Sequence, residues 1–170
     1  MLKENNYLEL IKLGCNMTKE EKAFLDLLSF TEGTYGVSNN GYDVLVNDGK
    51  EKGKSRVMNN WTETSAPEHM GSEWYVKSLD STAAGRYQFI FGTWKSLNGD
   101  VNVQMTKNNQ DQAALKLLRK KLGSSFNFVI KNADEMSGVR DSLLNTWTSF
   151  KGRSAKELFD LYSIALAKYS

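Results

Sequence analysis

The sequence has very few of the residues that build metal sites and covalent crosslinks. It contains one cysteine, Cys15, and one histidine, His69, among 170 residues. One cysteine cannot form an intrachain disulfide, and the two residues together fall short of the four ligands of a structural zinc site. Nothing around either residue supports a pair of nucleophile and base. We therefore predict no metal site and no cofactor, and a fold that depends on its hydrophobic core.

Long apolar runs and a strong charge imbalance are also missing. No run approaches the roughly 20 apolar residues that span a bilayer, so we predict no stable membrane insertion. The 22 basic and 20 acidic residues give a net charge of +2. Such a balance is far from the dense basic surface of a nucleic-acid-binding protein, so no nucleic acid is expected as partner. An ordinary mixed surface explains the net charge of +2, although a slight positive charge also suits binding to an anionic polymer such as the bacterial wall.

The sequence also lacks internal repeats and linkers, and its single proline, Pro67, lies in a polar stretch. A chain of this length is expected to form one domain, residues 1–170. Within residues 1–17, Tyr7, Leu10 and Ile11 recur at helical spacing, which predicts an extra N-terminal helical segment and not a signal peptide.

Hydrophobic spacing predicts helices in most of the remaining chain. Thr18 to Glu21 has the pattern of a capping box, so a helix should begin at Lys19 and end at Gly33. A central, largely buried helix is expected to be entered from Ser81 and Thr82, with an apolar stripe of Tyr87, Ile90, Phe91, Trp94 and Leu97. Three more apolar stripes predict further helices: Ala114, Leu117, Leu118 and Leu122, closed by Gly123; Val139, Leu143, Trp147 and Phe150; and a last one after a second capping box at 154–157.

A region of alternating residues follows the first long helix. Tyr42, Val44 and Val46 alternate with Asp43 and Leu45, and 47–49 has turn chemistry before a second short run at 55–58. These patterns predict a small β-hairpin lobe between about 41 and 80. The predicted fold class is α+β, mainly α, with this lobe inserted between the first long helix and the central helix.

Glu32 stands out because it lies four positions after Leu28 and eight after Phe24, on the apolar stripe of its helix. Burial and the partial negative charge of a helix C-terminus both disfavour the ionised carboxylate. A raised pKa suits a general acid, which glycosidases use to protonate the leaving oxygen. The spacing alone favours a boundary glutamate whose carboxylate reaches water, because such glutamates are common.

Three blocks of residues resemble the lambda phage lysozyme (endolysin) family. They are Lys22 to Asp26 leading to Thr31-Glu32-Gly33-Thr34, then 40–46 (NGYDVLV), then 81–89 (STAAGRYQF). The order and approximate spacing of the blocks match too. The resemblance covers roughly residues 20 to 98 and weakens afterwards to 110–114 and 146–149.

The resemblance implies a lysozyme-like fold and the activity of a lytic transglycosylase. Such an enzyme cleaves the β-1,4 bond between N-acetylmuramic acid and N-acetylglucosamine without adding water. Glu32 would act first as acid and then as base toward the muramic C6 hydroxyl, which closes on C1 and leaves a 1,6-anhydro end. A retaining hydrolase would instead need a second carboxylate about 5 Å from the acid, and an inverting one about 6.5–9.5 Å away.

Four further residues are candidates for substrate binding: Tyr42, Asp43, Tyr87 and Gln88. Asp43 is expected to position substrate or support the structure; a role as nucleophile or base, or as a simple turn residue, stays open. Tyr87 is as well explained by core packing as by a sugar contact. Gln88 offers both a donor and an acceptor to acetamido or hydroxyl groups.

The aromatic and basic residues near the predicted cleft have simpler interpretations. Trp94 and Trp147 are expected in the core, whereas Trp61 and Trp74 are candidates for a cleft lip. Lys151 and Arg153 are either contacts for the carboxylates of peptidoglycan stem peptides or an ordinary exposed basic turn.

The predicted biology follows from the resemblance and from the absence of a secretion signal. We expect a monomer in the host bacterial cytoplasm that acts on the wall after a holin-like protein opens the membrane. A hydrolytic lysozyme on the same fold, and a virion-associated module that binds or degrades the wall, are the alternatives.

Overall fold

A computed structural model of the chain describes residues 17–45, 56–57, 81–99 and 103–170. In chain order the elements are α1 (Lys19–Thr31), β1 (Val44–Leu45), β2 (Arg56–Val57), α2 (Phe91–Asn98), α3 (Lys107–Leu122), α4 (Ala133–Leu143), a 3₁₀ helix (Thr148–Phe150) and α5 (Ala155–Ala167). None of the helices in these ranges is both long and apolar enough to cross a membrane. The predictions for residues 1–16 and for Trp61 and Trp74 lie outside the described residues.

Helix α1 begins and ends where its local sequence predicts. The Thr18 hydroxyl accepts from the Glu21 N–H at 3.1 Å, and the Glu21 carboxylate accepts from the Thr18 N–H at 2.9 Å, so the capping box is complete. Glu32 caps the other end, and Gly33 follows with a φ of +71°, a conformation that costs glycine little. The predicted bounds of this helix are confirmed.

The core forms where α1 packs along α5 and against α3. Phe24 is fully buried, and the rings of Phe126, Phe128 and Tyr162 meet it edge-on at centroid distances of 5.6–6.2 Å. Edge-on aromatic pairs add to the free energy gained from burial alone. Trp94 and Trp147 are also buried, as predicted.

The β part pairs the two runs that alternation predicts. Val44 lies opposite Val57 and Leu45 opposite Arg56 in an antiparallel ladder. Leu45 also bridges Ala84, and the Gly85 N–H donates to the Val44 carbonyl at 2.8 Å. The strand after α1 is thereby fixed to the segment that precedes α2, and the α+β, mainly α class is confirmed.

The central helix predicted from Ser81 is wrong over its first ten residues. Helix α2 begins only at Phe91, because Gly85 and Gln88 have φ values of +76° and +50° that no α-helix accommodates. Ala84 and Phe89 exchange backbone hydrogen bonds, which makes 84–89 a tight hairpin turn. Ile90, expected on the buried stripe, is 50% exposed as a result.

Two smaller expectations in the C-terminal half are also corrected. Helix α4 ends at Leu143, so Trp147 and Phe150 lie in a turn and a 3₁₀ helix and do not continue its stripe. Ser154 caps α5 by accepting from the Glu157 N–H, but the Glu157 carboxylate accepts from Arg153 at 2.5 Å. Gly123 closes α3 as predicted.

A methyl group at Gly41 should destabilise the fold. Gly41 has a φ of +88°, and a Cβ there would lie 2.7 Å from the Thr34 backbone oxygen, which cannot rotate away. Gly41→Ala should lower the free energy of unfolding by about 2–4 kcal/mol, since strain and overlap add. Gly92→Ala is the matched control: its Cβ meets nothing within 4 Å, and in α2 it should stabilise by up to about 1 kcal/mol. Equal urea midpoints for the two variants would contradict this account.

Candidate active site

Glu32 lies where the end of α1 meets the 3₁₀ helix. Its N–H donates to the Leu28 carbonyl at 3.0 Å, so the backbone still follows the helix, and its side chain is half-buried. The Ser149 hydroxyl donates to Glu32 Oε1 at 2.5 Å across a separation of 117 residues. The fold thus gives this carboxyl one fixed partner from a distant part of the chain.

The surroundings of Glu32 act on its pKa in two opposite directions. Burial raises the pKa of the carboxyl because it penalises the charged form, and the hydrogen bond from Ser149 lowers it by stabilising the carboxylate. Burial is the larger effect, so the pKa lies above its ordinary value. Glu32 therefore keeps its proton to a higher pH than an exposed glutamate and, with Ser149 beside it, retains a partner once the proton has left.

The loop after Glu32 is fixed by Thr34. The Thr34 N–H donates to the Ser29 carbonyl at 2.9 Å. Its buried hydroxyl lies 2.6 Å from the Arg86 carbonyl and 3.1 Å from that of Ser29. These contacts attach the end of α1 to the 84–89 turn.

Glycine at position 85 allows α3 to approach this turn closely. A Cβ on Gly85 would lie 2.3 Å from Gln110 Oε1. Gln110 is fully buried; its Oε1 accepts from the Arg86 N–H at 2.9 Å, and its Nε2 donates to the carbonyls of Tyr42 and Met105. One amide side chain therefore joins the turn, the strand region and the start of α3.

A buried ion pair lies behind the turn. Arg86 Nη2 is 2.5 Å from Asp26 Oδ1 of α1, and Arg86 Nη1 donates to the Asn40 carbonyl at 2.8 Å. The other oxygen of Asp26 accepts from Lys168 at 2.9 Å and from the Tyr169 hydroxyl at 2.8 Å. Sequence reasoning assigned no role to any of these residues, because the pairs join segments far apart in the chain.

The two candidate tyrosines point into this interior. Tyr42 and Tyr87 donate their hydroxyl groups to the same oxygen of Asp111, at 2.8 and 2.6 Å, and burial raises the pKa of both phenols and of the Asp111 carboxyl. Tyr87 is only 1% exposed, so its ring has no free face for a sugar. For Tyr87 this burial favours core packing, one of the two explanations that its position allowed. Tyr42, at 8% exposure, lies in the same network.

The other two candidates differ in how they are held. Asp43 is 8% exposed, and its Oδ2 accepts from the Ser38 hydroxyl at 2.8 Å. Gln88 is half-buried at the left-handed corner of the turn, where its Nε2 donates to the Gly85 carbonyl at 2.9 Å. The structure brings Glu32, Ser149 and the 84–89 turn into one region, in which Ser149 is the residue that sequence reasoning missed. The only sequence signal for it was the weaker family-like block at 146–149.

A Ser149→Ala variant should move the pH dependence of activity in a defined direction. Removing the hydroxyl removes the effect that lowers the pKa of Glu32, so that pKa rises further. If the protonated carboxyl is the active form, activity is lost as pH rises through this pKa, and the alkaline limit of kcat/KM should shift to higher pH. Ser163→Ala, which removes a surface hydroxyl that donates to the Phe159 carbonyl one turn away, should leave the profile unchanged. A shift to lower pH in Ser149→Ala would contradict the assignment.

Solved structures with a similar architecture identify the fold. The chain is similar to bacteriophage lambda lysozyme complexed with a chitohexasaccharide, with a TM-score of 0.62 and 23% identity over 88% of this chain and 96% of that one. A second structure of lysozyme from bacteriophage lambda gives a TM-score of 0.54 and 23% identity over 91% and 94%. No curated protein sequence matches significantly. The fold is lysozyme-like, and Glu32, whose pKa is raised by burial, lies at the end of its first described helix.

A family model described as Endolysin matches residues 22–168. The chain therefore belongs to the Endolysin family. It is a phage-type, peptidoglycan-degrading enzyme that cleaves glycosidic bonds.

Proposed function

We propose that this endolysin cleaves the β-1,4 bond between N-acetylmuramic acid and N-acetylglucosamine as a lytic transglycosylase, with Glu32 as the catalytic residue. The observation that carries the proposal is the half-buried Glu32 carboxyl with its raised pKa and its hydrogen bond from Ser149. A group that must hold a proton and then work as a carboxylate needs both features.

The proposed reaction uses one carboxyl twice. Protonated Glu32 donates to the glycosidic oxygen as the bond from that oxygen to muramic C1 breaks, and N-acetylglucosamine leaves with a free 4-hydroxyl. The Glu32 carboxylate, stabilised by Ser149, then takes the proton of the muramic C6 hydroxyl while the oxygen of that hydroxyl bonds to C1. Glu32 is protonated again, a 1,6-anhydro ring has formed, and no water has been consumed.

The environment of Asp43 supports a mechanism with a single carboxyl. A hydrolase needs a second carboxylate that reaches C1 or a water beside it. Asp43, the candidate nearest to Glu32 in the sequence, is buried and bonded to Ser38. That arrangement favours a structural or positioning role for Asp43, with Gln88 as the remaining candidate for substrate contact.

Product analysis tests the proposal directly. Purified wall digested in H₂¹⁸O should give fragments with 1,6-anhydro ends, which are lighter than hydrolytic products by one water and carry no ¹⁸O. Fragments with labelled reducing ends would overturn the transglycosylase mechanism in favour of a hydrolytic lysozyme. Cleavage at N-acetylglucosamine C1 would overturn the choice of bond.

We propose that the enzyme acts as a monomer and is made in the host cytoplasm. It reaches the wall when a holin-like protein opens the membrane. Family membership supports this route. Expression of the protein in the host cytoplasm should cause lysis only when the cytoplasmic membrane is permeabilised.

A further inference from the structure

A cleft of about 450 Å³ lies beside the 84–89 turn, and the proposed reaction gives it no role. Its walls are the turn with α2 on one side and residues 145–147 on the other, and the C-terminal turn of α3 closes one end. Short polar side chains line it: Thr93, Ser96, Asn145 and Thr146. Apolar residues, among them Ile90 and Leu97, also line it, so the cleft is suited to a chain that carries both polar and apolar groups.

The cleft is positively charged. Lys120 and Lys121 line it, both are exposed, and no carboxylate is among the lining residues. Neither lysine has an ion pair or hydrogen bond within the described part of the chain, whereas the adjacent Arg119 is paired with Glu21. Lysines at a helix C-terminus are favoured by the helix dipole, but the dipole does not require a cleft free of acids around them. The two cations are available to an anionic ligand.

One wall of the cleft also contains a polar group without a partner. The Thr146 hydroxyl oxygen is buried and has no hydrogen-bond partner among the described residues. Buried hydroxyl groups are nearly always hydrogen-bonded. Because this oxygen has almost no accessible surface, the polar group that this wall presents to the cleft is the exposed side chain of Asn145.

The cleft is connected to the catalytic residue through both walls. Thr146 precedes Ser149 by three residues, so their Cα atoms are at most about 11 Å apart. On the other wall, Tyr87 and Gln88 follow Arg86, whose carbonyl binds Thr34 in the loop after Glu32. A peptide substituent of a few residues on a sugar at Glu32 can therefore cover the roughly 11 Å from Ser149 to the cleft wall at Thr146, since each extended residue covers about 3.5 Å.

We propose that this cleft binds the anionic peptide stem of peptidoglycan, whose carboxylates pair with Lys120 and Lys121 while its amides bond the polar wall. The inference rests on the proposed function, because it requires a muramic residue of the wall glycan at Glu32. It makes stem-bearing glycan a better substrate than bare glycan. It also assigns stem recognition to α3 and not to the turn of Lys151 and Arg153, where Arg153 is already paired with Glu157.

A titration with free stem peptide tests the site. Stem peptides released from wall by an amidase should shift the NMR resonances of Thr93, Ser96 and Thr146, and Lys120→Gln/Lys121→Gln should raise Kd at least fivefold. Lys19→Gln/Lys131→Gln makes the same charge change at exposed positions outside the cleft and should leave Kd unchanged. Absent shifts, equal weakening by both pairs, or binding of a polyol phosphate in place of the peptide would each overturn the proposal.

Kinetics give a second readout. On stem-bearing glycan the Lys120→Gln/Lys121→Gln variant should show a KM raised at least threefold with unchanged kcat, and on amidase-stripped glycan it should match wild type. An equal rise on both substrates would mean general attraction to the wall and would overturn stem recognition. Peptide binding should persist in Glu32→Gln. Hydrolytic products from the wild-type enzyme would overturn the proposed mechanism and leave this inference intact. A lack of peptide binding would overturn this inference and leave the proposed mechanism intact.

Discussion

Glu32→Gln should reduce peptidoglycan cleavage by at least about 10³-fold, because general acid–base catalysis contributes about 10²–10⁴-fold and here one residue performs both proton transfers. The fold should be retained, and at neutral pH the variant should be at least as stable as wild type. A carboxyl whose pKa is raised on folding contributes stability below its unfolded pKa and loses it as pH rises through the folded pKa. Glutamine removes that loss. Turbidity clearance of purified wall and urea unfolding measure the two effects.

The control for Glu32 is the same chemical change elsewhere. Glu157→Gln alters an exposed carboxylate on α5 that pairs with Arg153, and it should change the cleavage rate by less than twofold. Sedimentation with wall separates binding from catalysis, since Glu32→Gln should still pellet with it. A Glu32→Gln enzyme with wild-type clearance would remove Glu32 from the mechanism.

Arg86→Met should be the most destabilising of the substitutions considered. Asp26 and Arg86 are both almost fully buried, and methionine fills much of the same space without the charge. Removing one member of a buried ion pair costs about 3–5 kcal/mol because the remaining charge is left poorly compensated. For a chain of this size the loss corresponds to a Tm lower by about 6–20 °C. Calorimetry checks it.

A second pair of variants tests the cause of this loss. Arg140→Met breaks a more exposed pair with the neighbouring Asp141 and should cost less than about 1 kcal/mol. Adding Asp26→Asn to Arg86→Met removes the buried charge that has lost its arginine partner and should recover part of the stability. A double variant that is less stable than Arg86→Met alone would show that Asp26 is held mainly by Lys168 and Tyr169.

The parts of the fold that the sequence predicted well are those encoded locally. The capping box at Thr18 and the glycine at position 33 determine the ends of α1 from within a few residues. The prediction for residues 84–89 was wrong because the apolar spacing of Tyr87, Ile90 and Phe91 suggested a helix where the structure has a turn. The left-handed backbone at Gly85 and Gln88, stabilised by contacts with β1 and α3, overrode that preference.

In the candidate site, too, local features could be predicted from the sequence and long-range contacts could not. The stripe of α1 placed Glu32 at a boundary, and only the resemblance favoured catalysis. Its partner Ser149 lies 117 residues away, and Asp111 accepts from Tyr42 across 69 residues. No pattern of spacing within one element encodes such pairs, because they exist only after distant segments have packed together.

The packing of α1 along α5 also determines the order of events during translation. A ribosome makes Lys19–Thr31 early, but α5 and the Lys168 and Tyr169 groups that bind Asp26 come more than 120 residues later. Glu32 therefore gains its hydrogen bond from Ser149 only after the 117 residues that separate the two have been synthesised and packed.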